Sequence, residues 1–144
     1  MTRLFLLFAF VALLITTAGC SKSSQVTDGV DAKATKIERG PFITIGMSQA
    51  TARPGNDIAR VFYELNAASN VKEMKLPVDE QELIDTDGRS YKSNADLSFT
   101  FGSGGGKMSF DSMFEVPKGA TLKTLKLGRA TLDLSGLEGA KPKP

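Results

Sequence analysis

Apolar residues recur at every second position in this chain, in short runs cut by glycine, proline and aspartate. Such a rhythm is the signature of β-strands with one face buried. Ile43, Ile45 and Met47 point one way while Thr44, Gly46 and Ser48 point the other. Val61, Tyr63 and Leu65 alternate with Arg60, Phe62 and Glu64, and Leu97, Phe99 and Phe101 with Ser98, Thr100 and Gly102. Phe62 interrupts the polar face, which predicts a strand covered on both sides. Met108, Phe110, Phe114 and Val116, then Leu125 and Leu127, then Leu132 and Leu134 continue the set. Pro54-Gly55-Asn56-Asp57, Pro117-Lys118-Gly119 and Gly128-Arg129 are turns, and Asp87-Gly88 between two strand-like runs is a strong hairpin signal. Ala67 to Glu82 has no clear period; Val71 to Leu76 reads as a short helical turn or a crossing loop that Pro77 ends. With no amphipathic helix of useful length, about seven to nine short strands predict an all-β antiparallel sandwich. Length and irregular strand spacing favour a sandwich over a closed barrel.

The first residues obey a different logic. Arg3 gives a basic start and Leu4 to Ile15 is uninterruptedly apolar, a run that suits the core of an export signal and is too short to span a bilayer. Thr17-Ala18-Gly19-Cys20 follows and resembles the lipobox of bacterial lipoproteins, with Thr17 where leucine is usual. That resemblance implies a diacylglyceryl thioether on Cys20 and cleavage before it, leaving residues 1–19 as a signal peptide. Ordinary cleavage after Thr16-x-Ala18, or an uncleaved anchor, are the competing readings. One acyl chain anchors marginally and two or more anchor firmly. The implied address is the cell envelope: the outer membrane facing the periplasm in a Gram-negative cell, given Ser21 after the cysteine, or the outer face of a Gram-positive membrane.

Cys20 is the only cysteine among 144 residues, and there is no histidine or tryptophan. No disulfide can therefore staple the exported domain, and its stability has to come from an apolar core. Charges are balanced, with 18 Lys and Arg against 16 Asp and Glu, so no basic face for nucleic acid is expected. Residues 20–33 are small and polar and read as the lipidated cysteine with a flexible tether, 34–137 as the sandwich domain, and 138–144 as a frayed tail.

Three stretches carry a further resemblance. Pro-Gly-Asn-Asp leading into Val61-Phe62-Tyr63-Glu64-Leu65-Asn66, the Asp85-x-Asp87-Gly88-x-x-Tyr91 hairpin, and Phe114-Glu115-Val116-Pro117-Lys118-Gly119 together resemble the immunoglobulin-like domains of a family of small bacterial secreted proteins and lipoproteins of unassigned function. The resemblance spans about Lys36 to Leu134. It implies an immunoglobulin-like fold and donates no active site.

Little in the chain carries chemistry. Asp85 and Asp87 open like a calcium loop, but Arg89 stands where an oxygen ligand belongs, so the hairpin turn is the better reading and the pair are only calcium candidates. Gly102 to Met108 imitates a phosphate loop one residue too short, with Met108 in place of the magnesium-binding hydroxyl. Met47, Met74, Met108 and Met113 could hold copper(I) as thioethers, yet methionines commonly fill gaps in a core. Without imidazole or free thiol, a Ser/Lys pair or carboxylates such as Glu80 and Glu82 would have to catalyse, and no nucleophile elbow is present. The expectation is a non-enzymatic envelope lipoprotein without cofactor. It would bind an envelope protein or cell-wall component through the loops at Asp87-Gly88 and Gly104-Gly105. A small-ligand, calcium or copper carrier is the alternative, and an inhibitor of a hydrolase a further one.

Overall fold

The computed structural model describes residues 22–138 as twelve strands and one 3₁₀ turn. In chain order the strands are β1 (Ser24–Thr27), β2 (Val30–Gly40), β3 (Phe42–Ile45), β4 (Ser48–Thr51), β5 (Asn56–Ala67) and β6 (Glu73–Leu76). After the 3₁₀ turn (Val78–Glu80) come β7 (Gln81–Asp85), β8 (Ser90–Lys92), β9 (Leu97–Thr100), β10 (Gly106–Pro117), β11 (Leu122–Leu127) and β12 (Ala130–Asp133). One sheet has the order β1-β2-β5-β10 and a second has β12-β11-β7-β8, with every neighbouring pair antiparallel. The order is immunoglobulin-like: β2, β5 and β10 occupy the places of strands A, B and E, and β12, β11, β7 and β8 those of G, F, C and C′. Two short pairs, the β3-β4 hairpin and the non-consecutive β6-β9, stand apart from both sheets. These pairs, with β1, raise the strand count above the seven to nine expected.

The alternation does what it promised where it is cleanest. In β5, Val61, Tyr63 and Leu65 are fully buried while Arg60, Phe62 and Glu64 face outward. Phe114 and Val116 of β10, Leu83 of β7, Leu125 and Leu127 of β11 and Leu132 of β12 complete one core between the sheets. Phe62 is only half-buried, and its cover is charged. The Arg60 guanidinium lies 4.5 Å and the Lys36 ammonium 5.4 Å from its ring centre. Two irregularities in register shift the buried face by one residue. Between Ala34 and Lys36 the shift lets both Ala34 and Ile37 point inward, and between Leu122 and Thr124 it does the same for Leu122 and Leu125.

Several expectations need correcting. The flexible tether assigned to 20–33 does not extend past Ser23: Val26 and Val30 are buried in the β1-β2 hairpin, with Asp28-Gly29 as its turn. At the other end the domain runs beyond 137, because Glu138 bonds Arg39 at 3.0 Å and Leu137 packs on the core. Met47 does not continue a strand. Gly46 and Met47 form a two-residue turn between paired Ile45 and Ser48, leaving Met47 outside the core and Met74 buried within it. The unreadable segment around Val71 is β6, which pairs with β9 from Glu73↔Thr100 to Leu76↔Leu97. Cys20, residues 1–19 where a signal peptide is expected, and residues 139–144 lie outside the described residues.

Candidate functional site

Asp85 ends β7 with its side chain buried, and the hairpin is folded around it. Its Oδ1 accepts the amides of Asp87 and Arg89, both at 2.9 Å, and its Oδ2 accepts the Tyr91 hydroxyl at 2.7 Å. Burial alone would raise the Asp85 pKa, but the Tyr91 hydroxyl, the two amides and the Arg89 charge together hold it below the usual range. Both oxygens thus serve the turn. Among the described residues no three His, Cys, Asp or Glu side chains gather as a metal site.

The two loops expected to meet a partner lie at opposite ends of the sandwich. β10 runs from Gly106, beside Ala67, to Pro117, beside Asn56, a length of about 36 Å. The Asp87-Gly88 turn belongs to the Pro117 end, where the Thr86 amide bonds the Thr121 carbonyl at 2.9 Å. Gly104 and Gly105 belong to the other end, so the pair cannot form one surface.

At that second end four turns are locked together through their backbones. The Ala68 amide reaches Gly29 O at 2.7 Å, the Gly128 amide reaches Glu80 O at 2.9 Å, and the Arg129 amide reaches Val26 O at 3.0 Å. Two glycines make the fit possible. A Cβ on Gly105 would stand 2.3 Å from Ala67 O, and one on Gly128 would stand 2.7 Å from Val26 O. Beside them opens a concavity of about 530 Å³ lined by Val26, Thr27, Asp28, Glu80, Gly128 and Arg129. Across its rim Arg129 Nη2 meets Asp28 Oδ1 at 2.5 Å, with 60% and 94% of the two side chains exposed. An ion pair so wet contributes little to stability, so its charges can be exchanged for those of a partner at small cost.

Between the sheets runs a buried polar chain. The Tyr63 hydroxyl of β5 lies 3.1 Å from Ser112 Oγ of β10, which donates to Gln81 Oε1 of β7 at 2.9 Å. Gln81 Nε2 in turn donates to the Leu76 and Ala95 carbonyls, each at 2.9 Å. Ser112 is therefore a relay in the core, not a nucleophile open to substrate. Burial pushes the Tyr63 phenol up to about 12, against the lowering effect of the Ser112 bond.

Phe42 and Met47 are the large apolar side chains that stand exposed among the described residues, at 55% and 107%, and both belong to the β3-β4 hairpin. From Pro41 to Ala52 that hairpin carries no charge. Its base is fixed by Ile43, which is buried, and by the Ala52 amide on Pro41 O at 2.9 Å.

No protein-family model and no curated protein matches the chain. A solved structure does: the 2.2 Å crystal structure of a conserved hypothetical protein from Bacillus anthracis, at 13% identity and a TM-score of 0.55. The alignment covers 81% of this chain and 94% of that one. At such identity the likeness is one of fold.

Arg129, Asp28 and Glu80 gave no signal in the sequence as a group, since 101 positions separate the partners of the rim ion pair. Asp28-Gly29 was legible as a hairpin turn by the criterion that found Asp87-Gly88, had its polar neighbours not suggested a linker. Met47 fell inside an alternating run from Ile43 to Ser48 that hid the turn at Gly46-Met47.

Proposed function

We propose that this chain is an envelope lipoprotein, acylated on Cys20, whose immunoglobulin-like domain works by contact and not by catalysis. The observation that carries the contact reading is the rim of Thr27, Asp28, Glu80 and Arg129, held rigid by backbone bonds and glycine close approaches. A preorganised surface loses little freedom on binding. The concavity is too open and too charged to enclose an apolar small molecule, which favours the surface of an envelope protein or a cell-wall polymer as partner. The lipobox resemblance supports the anchor, and the immunoglobulin-like strand order agrees with the family resemblance of bacterial secreted proteins and lipoproteins.

Two measurements test it. Cys20→Ser should move the protein from the membrane to the soluble fraction and remove the acyl mass from the native chain; unchanged sedimentation refutes the anchor. A photocrosslinker at Thr27 should capture one partner reproducibly in cells, and Arg129→Glu should abolish that adduct while the domain stays folded. Capture that is indifferent to the charge at 129 refutes the rim as the contact surface.

A further inference from the structure

The early start of β1 changes what an anchor at Cys20 would do. Only Ser21, Lys22 and Ser23 separate Cys20 from the first strand, so a fully extended chain reaches about 14 Å from Ser24 to Cys20. The sheet is about 36 Å long, more than twice that reach. A lipid on Cys20 therefore holds the domain against the bilayer instead of lifting it away. The direction of approach is also set. β1 runs antiparallel to β2 with Ser24 opposite Ala32, so the chain enters β1 from the Gly40 side. Gly40, after which the β3-β4 hairpin begins, lies eight residues or about 26 Å beyond Ala32 along β2. The tether covers about half of that span, so the sheet has to lie along the bilayer for Cys20 and the hairpin both to meet it.

We propose that the β3-β4 hairpin is a second membrane contact, with Phe42 and Met47 entering the interfacial layer of the bilayer to which Cys20 is attached. The inference rests on the anchor reading and adds a lipid-binding element to it. Three observations select phospholipid as the occupant. The exposed phenylalanine and methionine share one hairpin. The twelve residues from Pro41 to Ala52 are free of charge in a chain that is 24% charged, whereas the other hairpin turns carry Asp28, Asp87 or Arg129. At the hairpin's base Arg53, 82% exposed, pairs with Glu115 at 3.0 Å, a wet contact that a lipid phosphate can replace at small cost. Met47 stands in the turn and Phe42 at the base beside Pro41, so the hairpin presents an uncharged apolar length with a cation next to it, as interfacial membrane segments do.

The chain has no tryptophan, so Phe42→Trp and Met47→Trp each introduce a single indole reporter. Lys107→Trp, exposed at the start of β10 on the sheet edge away from β1, is the control. Each full-length variant is purified from a detergent extract of whole cells, its intact mass is recorded, and it is reconstituted on phosphatidylethanolamine–phosphatidylglycerol vesicles. The expected result is flotation with the vesicles, with blue-shifted emission quenched by brominated lipid at positions 42 and 47 and neither effect at 107. Acylated protein that floats while the indoles at 42 and 47 stay unquenched overturns the hairpin contact and leaves the anchor standing. Protein without acyl mass that fails to float overturns the anchor, and this proposal with it. Indoles at 42 and 47 that become shielded without lipid, in step with protein concentration, assign the hairpin to a second copy of the chain and overturn the lipid contact.

Discussion

Tyr63 carries its hydroxyl into the middle of the sandwich, where Ser112 is its partner and the aqueous phase is out of reach. A phenol held at about 12 in the folded state and near 10 when unfolded binds its proton more tightly in the fold. The stability it contributes is complete below pH 10 and is lost as pH rises toward 12, because the unfolded chain can ionise there first. Two pH units correspond to about 3 kcal/mol at most. In urea titrations from pH 9 to 12, the parent should lose stability more steeply than Tyr63→Phe; parallel curves would mean that the phenol is not the group responsible. Asp85 acts at the other extreme. Its lowered pKa means that its contribution is present above about pH 4 and fades as pH falls through the folded value. Asp85→Asn should be less stable at neutral pH and should show a flatter acid limb in the same titration. Gln81 satisfies two carbonyls and a hydroxyl at once, so Gln81→Leu strands buried polar atoms and should cost about 2–4 kcal/mol.

At the scale of the element, the Gly102–Gly105 loop shows how neighbouring glycines differ. Gly104 has φ +99 with open space where a Cβ would go, while Gly105 has φ +71 and the Ala67–Ala68 backbone in that place. Gly104→Ala should therefore cost only its backbone strain, about 1–2 kcal/mol. Gly105→Ala should cost about 1–3 kcal/mol more, because Ala67 O has to give way. Equal denaturation midpoints for the two variants would contradict the close approach. Nothing in the sequence separated the two, since no local pattern reveals which glycine faces another backbone. Strands were legible where one face is purely apolar, as at Val61, Tyr63 and Leu65 or at Leu97 and Phe99. They were illegible where register shifts, as after Ala34, or where a short strand brings one buried apolar residue among polar ones, as Val26 does in β1. The turn at Asp87-Gly88 was readable because its chemistry is local; the spending of both Asp85 oxygens on it depends on Tyr91 reaching back across the hairpin.

For the molecule as a whole, an immunoglobulin-like sandwich without a disulfide has to tie its sheets together by other means. Gln81 does so in the middle, and Arg39 does so at the Pro117 end. From the end of β2, the Arg39 guanidinium bonds Asp57 of β5 at 3.2 Å, the Pro117 and Lys118 carbonyls at 2.6 and 3.0 Å, the Ala120 carbonyl, and Glu138 at 3.0 Å. It thereby joins the first sheet to the crossing that leads into the second and to the last described residue. None of this was visible in the sequence, where the nearest of those partners is 18 residues away and nothing distinguishes Arg39 from other arginines. Five bonds from one planar group define a geometry that an ammonium cannot copy. Arg39→Met, which keeps the stem and strands three carbonyls and two carboxylates, should lower stability by about 2–4 kcal/mol. Arg39→Lys should recover only part of that loss, since three rotatable donors on a point charge cannot face all five acceptors. Glu138→Gln, touching one bond at a wetter position, should stay within about 0.5 kcal/mol of the parent. If lysine restored full stability, charge alone would hold this end. A deficit that persists in lysine and is insensitive to salt assigns the closure to the directed hydrogen bonds, because screening weakens charge pairs far more than bonds to carbonyls.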